Sequence, residues 1–332
     1  MGHRKYSAPR RGSIAFRPRS RAKSLEARIR NWPDVNQEKP SLLGFAGFKA
    51  GGINILTVDD REKTPNFGKN FLNPSTVIAT PPIQIVGIRG YKEGVNGKQV
   101  IFDVFAKDAP KELARKTDIK FKEGLVTKAE IGLGSADNVV ATAVVIPREA
   151  NLSQKRPFIF EIAVSGNDIQ KKYEYIKSQF GKEIRIKDVF QLGQHIDVLG
   201  ITRGKGVEGP ITRFGVKRKQ HKSRKSVRAV GTLGPISPAV VMYTVPRQGQ
   251  RGFHQRTEYN KRILLMSTVG NDNQISINPS GGFKHFGLIK EDYIVLRGSV
   301  PGVPRRLVKL RQPMRDTNRK VIEPKVIEVM SR

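Results

Sequence analysis

The sequence predicts a mainly β chain carrying an inserted α/β segment, a basic N-terminal extension and a long internal basic loop. Three observations support that reading. Eight short runs rich in Val, Ile and Phe are each bounded by Gly, Pro, Asn or Asp, the pattern of strands. No regular strand–helix alternation joins them, which points to a barrel or a sandwich rather than a parallel sheet. The positive charge is concentrated in two segments, so the remainder reads as a moderately basic folded body.

Residues 1–40 form the extension. Its start is Arg- and Ser-rich like an organelle transit peptide, but Gly2, Pro9, Gly12 and Pro18 interrupt the amphipathic helix that such a signal needs. Residues 25–32, LEARIRNW, predict a short basic helix. The body opens over 41–108 with strands at 42–58, 80–91 and 99–107. Helix and strand patterns mix over 109–195, read as an inserted α/β subdomain. There, 109–117 predicts a helix after Asp108 with Pro110 in its first turn, and 156–165 a strand. The clearest helix is 168–180: Asp168 can cap it, Ile169, Tyr173, Ile176 and Phe180 share a face, and Gly181 supplies the stop. A strand at 195–202 leads into a glycine-rich turn, the pair spanning 196–211. The basic loop then fills 212–260, and strands at 263–270, 293–300 and 305–311 complete the body over 261–332.

The chain has 332 residues, 61 Lys and Arg against 29 Asp and Glu, and a net charge of +32. Residues 1–30 and 201–262 together carry +22 of it, and Gly209 to Thr257 contains no acid at all. Within the loop, KRKQHKSRKSVR (217–228) has seven cations in twelve residues. Such a run is often only a solvated face. This one is internal, punctuated by turn residues, and leads into PAVVMYTV (238–245), an apolar stretch expected to pack. A polyanion, RNA or DNA, is therefore the expected partner. With little apolar surface to offset backbone entropy of about 1 kcal/mol per residue, residues 1–30 and most of 212–260 are expected to lack stable order in the free protein.

Gly204-Lys205-Gly206-Val207-Glu208-Gly209 satisfies the dinucleotide-binding pattern G-x-G-x-x-G. A strand precedes it, but Pro210–Phe214 lacks helical apolar periodicity, and no acid follows before Glu258 to hold a ribose. The flanking residues do not make a P-loop either. Gly204, Gly206 and Gly209 instead let backbone approach a phosphodiester closely, with Lys205 and Arg213 beside it; a plain tight turn is the simpler alternative. Cations suited to phosphates are Arg4, Lys5, Arg10, Arg11, Arg17, Arg19, Arg21 and Lys23 in the extension. In the loop they are Lys217, Arg218, Lys219, Lys222, Arg224, Lys225 and Arg228. Arg247, Gln248, Gln250, Arg251, His254, Gln255 and Arg256 mix cations with amides that can read bases or sugars, and Lys261 and Arg262 close the segment. Phe253 could stack on a base or pack in a core.

Phe190-x6-Asp197-x2-Gly200-x-Thr202-x-Gly204-Lys205-Gly206-x2-Gly209-x3-Arg213 resembles the signature of the universal large-subunit ribosomal protein three family. LGPISPAVVMYTVPRQGQRGFHQRTEYNKRI (233–263), PSGGFKHFG (279–287) and RGSVPGVPRRLVKLRQPMR (297–315) extend the likeness, and the opening residues are similar to the archaeal and eukaryotic branch. The resemblance implies a translation-protein-like β-barrel body, with the extension and loop entering ribosomal RNA toward the peptidyl-transferase region. It implies a loop tip at Gly234, Pro235, Ile236, Ser237 and Pro238, with Ile236 where the family commonly has tryptophan, and Gly52 where methionine is common. It further implies large-subunit ribosomal RNA and neighbouring proteins, including large-subunit proteins thirteen and fourteen, as partners, a cytoplasmic location, a role in subunit assembly, and no cofactor beyond structural Mg2+ on the RNA.

Enzymatic chemistry finds little support. There is no cysteine, the five histidines lack metal-ligand spacing, and His195 beside Asp197 reads as a core residue. No metal site or catalytic residue is expected. The longest apolar run, Pro238–Tyr243, falls far short of the roughly 18 residues that cross a membrane, so no membrane partner is expected. A non-ribosomal DNA or chromatin protein is the alternative, although no helix placed for a major groove is evident.

Overall fold

The computed structural model describes residues 11–35, 38–118, 123–267, 277–315 and 321–330. In chain order the strands and helices are β1 (Gly44–Val58), β2 (Asn70–Ala79), β3 (Ile83–Gly94), β4 (Gly97–Phe105), α1 (Glu123–Gly132), β5 (Asn138–Val145), β6 (Phe158–Ala163), α2 (Ile169–Ser178), β7 (Glu183–Ile184), β8 (His195–Ile201), β9 (Val207–Glu208), α3 (Pro210–Phe214), β10 (Gly249–Gln250), β11 (Gln255–Ser267), β12 (Tyr293–Arg297), β13 (Leu307–Arg311) and β14 (Val326–Met330). The chain divides into two compact units: Glu26–Gly200 with Thr257–Arg332, and Met1–Leu25 with Ile201–Arg256.

The larger unit is built from two sheets. One runs β13-β8-β11-β12-β2-β1-β14, and β13 additionally pairs with β1. The other runs β4-β3-β5-β6, with β7 joined to β3. The second sheet thus draws on β3 and β4, which precede the mixed segment at 109. Pairing is antiparallel, as between Phe48 and Leu307, Ile294 and Ile78, and Ile88 and Ala141. The main apolar core gathers residues from both sheets, among them Phe45, Phe48, Ile83, Ile162, Ile294 and Leu310. Strands covered on both faces read as continuous apolar runs, and β5 is buried over its last seven residues for that reason.

Asp197, fixed in the signature, is one of the deepest polar residues. It accepts from Arg311 at 2.7 Å and from the backbone amides of Asn260 and Met314. The carboxylate ties β8 to β13 and to the start of the following chain, a role in the core rather than at a ligand.

The mainly β expectation with few helices agrees with this structure, and the eight expected strands are present with shifted ends. Residues 268–270 of the sixth lie outside the described residues. Six strands were not anticipated: β7, β9 and β10, of two residues each, are too short to show a pattern, and three longer ones hid theirs. β2 contains Pro74 and starts in polar sequence; Pro74 stands just beyond the β12 pairing, which begins at Ser75, so its missing N–H costs that ladder nothing. β5 mixes valines with alanines, and β14 is only five residues long with Glu328 at its centre. β11 begins at Gln255, inside the stretch read as loop, because its first half is polar.

The helix at 168–180 is α2, with Asp168 accepting from the Gln170 amide at 3.0 Å and with Tyr173 and Ile176 buried. The expected helix at 109–117 is a short 3-10 turn over Lys111–Arg115, with Pro110 at its cap rather than in its first turn. The expected helix at 25–32 is not formed. Tertiary contacts override its propensity: Ala27 is buried and the Asn31 carbonyl accepts from Arg311 at 2.5 Å. α1 was not anticipated; its buried Ala129 is a small residue that gives little apolar signal.

Candidate nucleic-acid interface

The smaller unit is organised by a narrow antiparallel ribbon at the base of the basic loop. The Thr202 amide donates to the His254 carbonyl at 2.9 Å, that of Lys205 to Arg251 at 3.0 Å, and that of Arg251 to Gly206 at 2.8 Å. β9 and β10 extend the ribbon through Glu208–Gly249 and Val207–Gln250. Gly252 has a positive φ of 70°, and a Cβ there would meet the Arg203 carbonyl oxygen at 2.0 Å, so only glycine permits the chains to close. α3 follows the glycine motif. This one helical turn, ended by Gly215 at φ 67°, corrects the expectation of no helix there. Pro210 presets its first turn and Gly215 stops it, so it forms without apolar periodicity.

Residues 11–25 lie along this ribbon. Ala22 donates to the Phe253 carbonyl at 2.8 Å, and His254 Nδ1 lies 2.8 Å from the Ser20 carbonyl. A carbonyl only accepts, so Nδ1 carries the proton. Burial, together with Arg256, Arg19 and Arg213, holds the His254 pKa below its usual value despite the opposing Ser20 bond.

With no acid between Gly209 and Thr257, the guanidinium groups gathered here, most of them half-buried, turn to carbonyl oxygens and aromatic rings. Arg213 donates through Nε to Gln250 at 2.9 Å, through Nη1 to Arg247 at 3.1 Å and through Nη2 to Arg19 at 3.4 Å. Arg19 returns a bond to the Arg213 carbonyl at 2.7 Å, Arg11 donates to Gly215 at 3.0 Å, and Arg17 donates to the Tyr243 carbonyl. The guanidinium carbons of Arg19, Arg17 and Arg213 lie 4.3, 4.7 and 5.1 Å from the centre of the Phe214 ring, and that of Arg256 lies 4.6 Å from Phe16. Burial, and then the neighbouring arginines, lower the Arg19 and Arg213 pKa values.

The expected site residues therefore separate by role. Arg11, Arg17, Arg19, Arg213, His254 and Arg256 are gathered at the ribbon, and their polar atoms tie backbone segments together. Arg251 faces Glu208 at 2.7 Å. Lys261 and Arg262 belong to the larger unit, where Lys261 pairs with Glu258 at 3.3 Å and Arg262 pairs with Asp60. Arg21, Lys23, Lys205, Lys217, Arg218, Lys222, Arg228, Arg247, Gln248 and Gln255 are exposed. Lys219 is half-buried, with its amide bonded to the Val227 carbonyl at 3.2 Å, and Arg224 and Lys225 lie in the short turn His221–Ser226. Arg4, Lys5 and Arg10 lie outside the described residues.

Phe16, Phe214 and Arg203 had not been singled out, though aromatics interleaved with arginines were a signal available for the first two. The tip is open, with Ile236 96 % exposed, and the following Val240, Val241, Met242 and Tyr243 are exposed as well. This corrects the expectation that PAVVMYTV packs: its recorded backbone bonds are local, Val240 to Pro238 and Val245 to Met242, and it joins no sheet.

Among the described residues no cluster of His, Asp and Glu could hold a metal, and no helix is long and apolar enough to cross a membrane. Comparison with known proteins places this architecture. The family described as Ribosomal protein L3 matches residues 1–331. The chain is 44 % identical to the large ribosomal subunit protein uL3 of Caldivirga maquilingensis, covering 94 % of this chain and 91 % of that protein. It is 40 % identical to uL3 of Methanococcus vannielii, over 98 % and 97 %, and 41 % identical to uL3 of Pyrobaculum aerophilum, over 98 % of each. With the signature residues standing on β8, the ribbon and α3, and the match running through both units, the chain belongs to the ribosomal protein L3 family.

Proposed function

We propose that the protein is a structural constituent of the large ribosomal subunit in the cytoplasm, with no enzymatic activity, and that it binds large-subunit ribosomal RNA through its smaller unit. The observation that carries this reading is a division of labour among cations. Arg17, Arg19 and Arg213 hold the ribbon together, whereas Lys217, Arg218, Lys222 and Arg228 are exposed and, among the described residues, none of them forms an ion pair. Cations left in water at this density favour exchange of condensed counterions on a polyanion. The exposed apolar run after the tip adds surface that gains by burial in an assembled particle.

The six pairings around β13, β8, β11, β12, β2, β1 and back to β13 support a translation-protein-like barrel as the body. Support for subunit assembly, proximity to the peptidyl-transferase region, Mg2+ on the RNA, and large-subunit proteins thirteen and fourteen as neighbours follow from the family and extend the same reading. Binding to transcribed large-subunit ribosomal RNA is expected to exceed binding to duplex DNA of equal length at matched salt, and the native protein is expected to co-sediment with large subunits. Equal affinity for DNA, or sedimentation with chromatin, would overturn it.

A further inference from the structure

We infer that a cavity of about 560 Å³ beside the glycine motif receives one unpaired nucleotide of the ribosomal RNA, its base stacked on Phe253 and its phosphate between Arg21 and Lys23. The inference rests on the RNA-binding reading and narrows it to a site. Gly204 and Gly206 form one wall, so that wall is bare backbone; a Cβ on Gly206 would enter open space. Phe253 stands beside Gly204, its side chain 3.5 Å from where a Cβ would sit, and Gln250 also lines the cavity, with Nε2 fixed by the Gly252 carbonyl at 2.9 Å. The rim is cationic, since Arg21 and Lys23 are exposed, and no acid lines the cavity. An apolar ring, bare peptide edges and flanking cations match the base, sugar and phosphate of a splayed nucleotide.

The backbone holds the ring in place. Phe253 has φ 55°, a region that bulky residues rarely adopt, with its amide directed to Arg203 and its carbonyl accepting from Ala22. Packing in a core would not require that conformation, whereas holding a ring at a cavity wall gives it a use. The cavity is also large enough for a nucleotide, within the range of about 300–1,000 Å³ typical of ligand sites.

Two variants separate the site from the fold. Phe253→Asn keeps a residue that tolerates positive φ and removes the ring. Gly204→Val puts a branched side chain on the bare wall beside Phe253 without a clash, because a Cβ on Gly204 meets Phe253 only at ordinary contact, 3.5 Å. Both are to be measured in the full-length protein with transcribed large-subunit ribosomal RNA carrying thio-substituted bases. The wild type is expected to crosslink one unpaired base to the peptides containing Phe253 or Gly204. Each variant is expected to lose that crosslink and about 5- to 150-fold in affinity, with the slope of log affinity against log salt unchanged. Unchanged affinity, or a wild-type crosslink elsewhere only, would overturn the nucleotide site and leave the RNA-binding reading standing. Failure of the wild type to bind the RNA at all would overturn both.

Discussion

Replacing Arg213 by lysine separates two roles that the sequence alone cannot tell apart, because it preserves the charge and destroys the fork. In the structure the guanidinium reaches Gln250 and Arg247 at 2.9 and 3.1 Å and lies 5.1 Å from the Phe214 ring centre. The Gln250 bond is partly buried and contributes about 1.5 kcal/mol; the Arg247 bond is exposed and contributes about 0.5 to 1 kcal/mol. The ring contact adds about 0.5 to 1 kcal/mol. Together about 3 kcal/mol holds the ribbon closed, equivalent to about 150-fold in a local opening equilibrium. Amide exchange on the RNA-free protein measures that opening. The Lys205, Arg251 and Phe253 amides are expected to be protected in the wild type and to exchange about 150-fold faster in Arg213→Lys, while 216–245, whose amides make only local backbone bonds, exchanges fast in both. The salt slope of RNA binding stays the same, since no charge is removed. Unchanged exchange in Arg213→Lys, coupled to a shallower slope in Arg213→Ala, would show Arg213 to be a phosphate ligand and refute the reasoning.

Four further outcomes are expected. Asp197→Asn leaves Arg311 buried without its charge partner and should lower stability by about 3 to 5 kcal/mol in thermal or denaturant unfolding, with the RNA salt slope unmoved. Arg224, Lys225 and Arg228 all changed to Ala should flatten that slope by about 2 to 3 without altering the melting of the larger unit. Burial pushes the Lys309 pKa down to about 8 from 10.5 despite the pull of Glu26, so the unfolded chain binds more protons between those values and stability rises with pH across that window. Lys309→Met should therefore be the more stable form at pH 7, by up to about 3 kcal/mol, and lose that advantage by about pH 10.5; a pH-independent difference would count against this. His254, also held below its ordinary value, favours the neutral form in the folded state. Acidification below about pH 6.5 should then speed exchange of the Ala22 and Phe253 amides, and His254→Gln should abolish that dependence.

The sequence by itself determined what periodicity and composition encode. Runs of β-branched and aromatic residues between turn formers marked β1, β3 and β8, Asp168 marked the start of α2, and the segregated charge marked two strongly basic segments apart from the body. Only the tertiary structure decided which cations turn to the protein's own carbonyls and which face water. Arg213 and Lys217 are both basic residues of one segment, yet one is enclosed by three carbonyls and an aromatic ring while the other faces water. Acceptors supplied by Arg19, Arg247 and Gln250 lie 194, 34 and 37 residues away. A local pattern cannot encode that proximity. β2 and β14 were hidden for a related reason, since their pairing with β1 comes from the ladder they join and not from their own propensity.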